Sequence, residues 1–146
     1  SFEIIGEYTN SEKDLLKSLE LNPDNAYALN YLAYAWLERD YRIDEAIKML
    51  KKAYELREND PFILDSLGWA YYLTNNYLEA EDFLRRAIEI MPDDPILNDH
   101  YGDILWKLNR KIQAKYFWEN VLSMEDADKE LIENINSKIL KGLQNT

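Results

Sequence analysis

Apolar and small residues recur at three- and four-residue spacing along most of the chain. In residues 61–94 the large apolar positions are Leu64, Leu67, Tyr71, Leu84 and Ile90. Gly68, Ala80 and Ala87 fall among them. This spacing predicts amphipathic helices. A glycine inside a helix costs about 1 kcal/mol relative to alanine, so Gly68 indicates a place where two helices pack closely.

The pattern repeats with a period of 34 residues. Residues 61–68 return as residues 95–102, and Ala80 and Ala87 are answered by Ala114 and Val121. An earlier copy is one residue longer, through an insertion in the turn near residues 38–43. A period of this length is typical of stacked helix pairs, in which each pair buries its apolar face against the next.

An aspartate followed by a proline marks the start of two of the units. Asp60 precedes Pro61, and Asp94 precedes Pro95. Aspartate accepts hydrogen bonds at the N-cap, and proline suits the first helical position because no amide donor is needed there. We therefore predict helices that begin at about residues 61 and 95.

The two ends of the chain differ from the repeats. Tyr8, Leu15 and Leu19 align with the second helix of an earlier unit, whose first helix is missing or reduced to a stub at residues 2–5. Near the other end, Leu131, Ile135, Ile139 and Leu143 recur every four residues, as in a helix that caps an array. The predicted organisation is a remnant at 1–25, units at 26–60, 61–94 and 95–128, and a capping helix at 129–146.

The middle unit resembles the tetratricopeptide repeat family. The matching positions are Leu64, Leu67, Gly68, Tyr71, Ala80, Leu84, Ala87 and Pro92. The third unit departs with Asn98, Tyr101, Val121 and Asp126, and the first has Glu58 in place of the closing proline. The resemblance implies an all-α fold, a right-handed α-solenoid of three full helix pairs closed by the capping helix.

The resemblance also implies a concave groove on the first helix of each unit. In the family the second, fifth, ninth and twelfth residues of that helix point into the groove. These positions are Tyr27, Asn30, Tyr34 and Leu37, then Phe62, Asp65, Trp69 and Tyr72, then Ile96, Asp99, Asp103 and Trp106. We expect Tyr34, Trp69, Tyr72 and Trp106 to anchor a partner, because large aromatic side chains dominate interface energetics. The alternative is that neighbouring first helices bury several of these rings in the core.

Charge narrows the class of partner. The net charge is −11 and the isoelectric point is near 4.5, which disfavours nucleic acids and anionic membranes. Some family members clamp a C-terminal carboxylate with Lys, Asn and Arg, and Asn30 stands at one such place. The aspartates of the predicted groove instead favour apolar or basic protein segments. The predicted function is a protein-binding scaffold or adaptor.

The chain offers little for chemistry. It has one histidine, no cysteine and no glycine-rich phosphate loop. Asp99, His100 and Asp103 lie within one predicted helix, but no second histidine is present to complete a metal site. We therefore predict no enzyme activity, no metal and no cofactor.

Two other functions stay open from the sequence. The apolar side of the helix at residues 11–20 offers a surface for self-association, which would make an oligomer. The last two units also look like the arrays of proteobacterial tetratricopeptide proteins, some of them lipoproteins that serve as envelope protease adaptors. This likeness indicates a bacterial source, and the lack of cysteine suits cytoplasm and periplasm equally. The chain begins with Ser1, so a lipid-bearing cysteine would lie upstream.

Overall fold

The computed structural model describes residues 10–143, which form eight α-helices and no strand. The helices are α1 (Asn10–Leu21), α2 (Ala26–Glu38), α3 (Ile43–Leu56), α4 (Pro61–Leu73), α5 (Tyr77–Ile90), α6 (Pro95–Lys107), α7 (Lys111–Leu122) and α8 (Lys129–Lys141). The predicted all-α class is confirmed. The stub predicted at residues 2–5, Tyr8 and the last three residues of the predicted capping segment lie outside the described residues.

Side-chain caps explain where the first helices begin. Asp60 Oδ1 accepts hydrogen bonds from the backbone N–H groups of Phe62, at 2.9 Å, and Ile63, at 3.2 Å. Asp94 Oδ1 does the same for the first turn of α6, at 2.9 and 3.0 Å. Both helices start with proline, as the Asp-Pro pattern predicts.

The turns within the pairs follow the 34-residue period. Asn75 and Asn109 occupy the same place, and both are left-handed, with φ of 67° and 63°. The first pair has a longer turn in which Asp40 and Arg42 are left-handed instead. The extra residue therefore lies between α2 and α3, in the turn where the sequence places the insertion.

The helices pack in succession. The closest neighbours are α2 with α3, α4 with α5, and α6 with α7, and each pair contacts the next. Ala46, Ala80 and Ala114 are fully buried at the same position of the three second helices. Neighbouring first helices also touch, α2 against α4 and α4 against α6. They form a continuous surface that carries the candidate site.

The two end helices are packed as well. On α1, Leu15, Leu16 and Leu19 are half-buried against the core built from α2 to α4, whereas Leu21 is exposed. On α8, Ile135 is fully buried within the core of the last two pairs. The other three residues of its apolar stripe, Leu131, Ile139 and Leu143, pack against the same core. Helix α8 begins 34 residues after α6, in register with a fourth first helix.

Candidate functional site

A cavity of about 430 Å³ opens between α2, α4 and α6. This size lies within the range of ligand pockets in proteins. We call it the proximal groove. Its lining residues are Asn30, Tyr31, Tyr34, Phe62, Asp65, Ser66, Asp94, Ile96 and Leu97. Five of the positions predicted from the sequence to line a partner-binding groove are therefore brought together here: Asn30, Tyr34, Phe62, Asp65 and Ile96.

The walls of the proximal groove are apolar and accessible. Tyr31 is 62% exposed, Phe62 49% and Ile96 43%. Tyr27, another predicted lining residue, is also exposed, and the Arg57 guanidinium lies 4.9 Å from its ring centroid. Large apolar side chains that remain exposed around one cavity are a mark of an interaction surface.

The floor of the proximal groove is polar and buried. Asp65 Oδ1 lies 2.7 Å from His100 Nδ1, which connects α4 to α6. Asn30 is only 5% exposed, and its amide oxygen has no hydrogen-bond partner among residues 10–143. Burial raises the pKa of the Tyr34 hydroxyl, and the nearby carboxylates of Asp65 and Glu38 raise it further. The floor therefore holds buried hydrogen-bond acceptors in a negative electrostatic field.

Nearer to α8, two of the predicted groove residues on α6 form ion pairs with a lysine of α8. The ammonium group of Lys138 lies 2.7 Å from Asp99 Oδ1 and 2.9 Å from Asp103 Oδ1. Asp103 Oδ1 also accepts a hydrogen bond from Trp118 Nε1, at 3.1 Å. Burial and the Asp99 charge raise the pKa of Asp103 to about 6, although Lys138 and His100 act in the opposite direction. We call this cluster, Asp99, Asp103 and Lys138, the distal ion cluster.

The aromatic anchors predicted near this end are packed within the chain. Trp69 stacks between Tyr72, at 4.4 Å between centroids, and His100, at 4.0 Å. Trp106 stacks on Trp118 at 5.5 Å, and Gly142 packs directly against the Trp106 ring. All three anchors are half-buried.

The structure thus changes the picture of an open groove along all three first helices. Asp99 and Asp103 are buried in ion pairs with Lys138, because α8 packs its apolar stripe beside them. Leu37 is buried with Trp36 in the core of the first pair. A role for Asp99, Asp103 and Trp106 in partner binding remains a prediction.

Three residues that shape the proximal groove and the distal ion cluster were not predicted from the sequence. Tyr31 is absent from the family positions, although Tyr27, Tyr31 and Tyr34 follow helical spacing that places them near one face. His100 and Lys138 each follow their aspartate, Asp65 and Asp103, by 35 residues. That shared separation was the available signal, since it joins a position on one first helix to the residue just after its equivalent on the next.

The described part of the chain contains no group of three histidine, cysteine, aspartate or glutamate side chains arranged to hold a metal ion. Of the three residues weighed as metal ligands, His100 Nδ1 is engaged with Asp65, and Asp99 and Asp103 contact Lys138. Over residues 10–143, no helix has the length and apolar character needed to span a bilayer.

Comparison with known families agrees with this architecture. Profiles of the tetratricopeptide repeat match residues 5–62 and residues 61–94. Together they span residues 5–94, more than half of the 146-residue chain. The chain belongs to the tetratricopeptide repeat family.

Similar proteins include bacterial members of this family. A tetratricopeptide repeat-containing protein of Pseudomonas aeruginosa is 43% identical over 72 residues, which are 49% of this chain but only 12% of that relative. A thermophilic tetratricopeptide protein of Thermus thermophilus superposes with a TM-score of 0.74 at 18% identity, covering 88% of this chain and 71% of the other. The first tetratricopeptide domain of Spaghetti, bound to the HSP90 peptide SRMEEVD, superposes with a TM-score of 0.66 at 20% identity, covering 77% and 88%.

Proposed function

We propose that this chain is a protein-interaction module that binds a segment of a partner protein in the proximal groove. The observation that carries the proposal is the exposure of Tyr31, Phe62 and Ile96 around one cavity on three successive first helices. Such rings supply large, rigid contact area, and apolar side chains of a partner would pack between them.

The electrostatics of the groove favour some segments over others. Asp65 and Asp94 line the cavity, and no lysine or arginine does so among the described residues. The peptide bound by the Spaghetti domain is acidic. An acidic tail would meet carboxylates here, whereas an apolar or basic segment would not be repelled. We therefore propose apolar segments with basic residues as partners.

Self-association has weaker support than groove binding. Its proposed surface, the apolar side of α1, is half-buried against α2 to α4 through Leu15, Leu16 and Leu19. Sedimentation velocity at two protein concentrations about tenfold apart tests it directly. A monomer at both concentrations removes self-association as the main role. An adaptor role for an envelope protease remains a prediction, because the bacterial relative is much longer than this chain.

Selection from a displayed library of random peptides tests the proposed function. We expect binders that are lost when Phe62→Ser removes an exposed wall of the groove. The matched control is Ile112→Ser on α7, which changes a more exposed apolar side chain outside the cavity. Peptides that bind both variants equally, or a selection that yields no binder, would contradict the proposal.

A further inference from the structure

The distal ion cluster shows how this chain holds a cation. The Lys138 ammonium lies against Asp99 and Asp103, and the ring of Trp118 lies 6.0 Å from it. Buried acceptors thus surround the charge, and an aromatic ring lies beside it. Burial alone would lower the pKa of Lys138, but the two carboxylates more than offset burial and raise it. The cluster favours the charged form of its amine.

The proximal groove has the same components, with the His100 ring in place of an ammonium group beside its carboxylate. Its floor carries the Asp65 carboxylate and the Asn30 side-chain amide, whose oxygen is buried, and its walls carry the rings of Tyr31, Tyr34 and Phe62. Asp65 uses Oδ1 for His100, and no hydrogen bond to its other oxygen is formed within residues 10–143. A buried acceptor left without a partner destabilises the folded state. The Asn30 oxygen is therefore an observation, independent of the acidic residues, that points to a missing donor.

We propose that the proximal groove contains a subsite for one arginine side chain of the partner segment. Its guanidinium group would donate to Asp65 and, once the Asn30 side-chain amide rotates toward the cavity, to Asn30 Oδ1, and its plane would stack on the rings of Tyr31 or Tyr34. This inference rests on the proposed function, because it specifies one residue of the segment that the groove binds.

Arginine suits the subsite better than lysine. Its guanidinium group is planar, carries five donors and is more weakly hydrated than an ammonium group, so it donates to two separate acceptors while stacking on a ring. Elsewhere in the chain an arginine combines a hydrogen bond with contacts to aromatic rings. Arg86 Nη2 donates to the Tyr54 hydroxyl at 2.7 Å, and the guanidinium carbon lies 5.4 Å from the centroids of Tyr54 and Phe83.

The charged groups that face the subsite still favour a cation when His100 is protonated. His100 on α6 offsets Asp65 when it is protonated, but Asp94 at the start of α6 and the carboxylates that act on Tyr34 remain. A neutral amide such as Asn30 also accepts from a guanidinium group whatever the protonation of His100. The subsite therefore depends on a hydrogen-bond acceptor as well as on net charge.

A titration followed by nuclear magnetic resonance tests the subsite. The probes are the capped tripeptides acetyl-Leu-Arg-Leu-amide and its Lys and Gln counterparts. We expect the Arg peptide to shift the Asn30 side-chain amide and the Tyr34 and Asp65 signals, and to bind at least about fivefold more tightly than the Gln peptide. The Lys peptide should fall between them.

Two variants and a control separate the subsite from the rest of the groove. Asn30→Ala removes the unpartnered acceptor, and Tyr31→Leu replaces an exposed ring by an apolar side chain of lower stacking capacity. Each should reduce the Arg preference over Gln to about twofold or less. Asn134→Ala, an exposed change on α8, should leave the preference unchanged. Tyr31 is exposed, so its variant keeps the test valid if Asn30→Ala fails to fold.

The outcomes distinguish the subsite from the proposed function. Equal affinity for the Arg and Gln peptides, with shifts confined to the cavity, would overturn the subsite and leave groove binding intact. Shifts outside the cavity, or none up to about 10 mM peptide, would also overturn the subsite. A selection that yields no binder, or binders that Phe62→Ser retains, would overturn the proposed function itself.

Discussion

Single small residues set the spacing between the two helices of a pair. A Cβ atom on Gly102 would overlap the indole ring of Trp118, and a Cβ atom on Gly68 would overlap a terminal methyl group of Leu84. The two obstacles differ. Both side chains are fully buried, but Trp118 is a rigid ring that donates its Nε1 hydrogen bond to Asp103, whereas a leucine methyl group moves by rotation of its side chain. The sequence predicts close packing at both glycines but does not rank them.

Gly102→Ala should destabilise the protein more than Gly68→Ala. Overpacking against the fixed indole costs about 1–3 kcal/mol, whereas the Leu84 methyl group near Gly68 can move aside at a lower cost. The helix propensity gained by alanine, about 1 kcal/mol, is the same at both positions. Urea denaturation followed by circular dichroism gives both free energies of unfolding. An equal or larger loss for Gly68→Ala would contradict this ranking.

His100 should make the free energy of unfolding fall as pH rises. Burial lowers the pKa of His100, but Asp65, Asp99 and Asp103 raise it more, so its net pKa lies above the ordinary value of 6.5. Lys138 on α8 faces the same Asp99 and Asp103. A histidine with a raised folded pKa stabilises the protein fully below 6.5, and this contribution is lost as pH rises through the folded pKa.

Urea denaturation at several pH values above 6.5 measures this decline. His100→Gln should remove it, whereas wild type should lose stability over the same range. Asp103 acts with the same sign at lower pH, because its pKa is raised from 3.8 to about 6 and the folded state binds the extra proton between these values. A wild-type stability that rises with pH above 6.5 would contradict the assignment.

At the scale of elements, local patterns predicted the helices and their starts. The Asp-Pro pairs act within one helical turn, so Asp60 and Asp94 could be interpreted without knowledge of the fold. The ion pairs of Lys138 on α8 with Asp99 and Asp103 were not predicted, because they join residues that lie 39 and 35 positions apart. The apolar stripe of α8 predicts which face of the helix is packed, but it does not predict which polar side chain beside that face will form an ion pair. Tyr31 was missed because the groove residues were chosen by the four positions of the family, and Tyr31 is at none of them.

Lys138→Met should destabilise the attachment of α8. It leaves Asp99 and Asp103 buried side by side without a cation, and removing one partner of a buried ion pair costs about 3–5 kcal/mol. Lys141→Met is the matched control, because Lys141 is exposed on the same helix. Hydrogen exchange should show faster opening of α8 in Lys138→Met alone. Unchanged protection of α8 would show that its apolar stripe is sufficient.

At the scale of the whole molecule, stacked helix pairs produce one surface with two different halves. The proximal groove stays open, with exposed rings over buried acceptors. The distal ion cluster is occupied from within the chain by α8. With a net charge of −11, the molecule also repels acidic partners at a distance and attracts basic ones. The open half is therefore where a partner segment should bind.

The most direct test is the affinity of one selected peptide for wild type, Tyr31→Ser, Phe62→Ser and Ile112→Ser, measured by isothermal titration calorimetry. Both groove variants should weaken binding by about tenfold or more, since each removes a large exposed contact. Ile112→Ser should match wild type. Equal affinity in all four proteins, or a loss only in Ile112→Ser, would show that the partner binds elsewhere and would contradict a function based on the proximal groove.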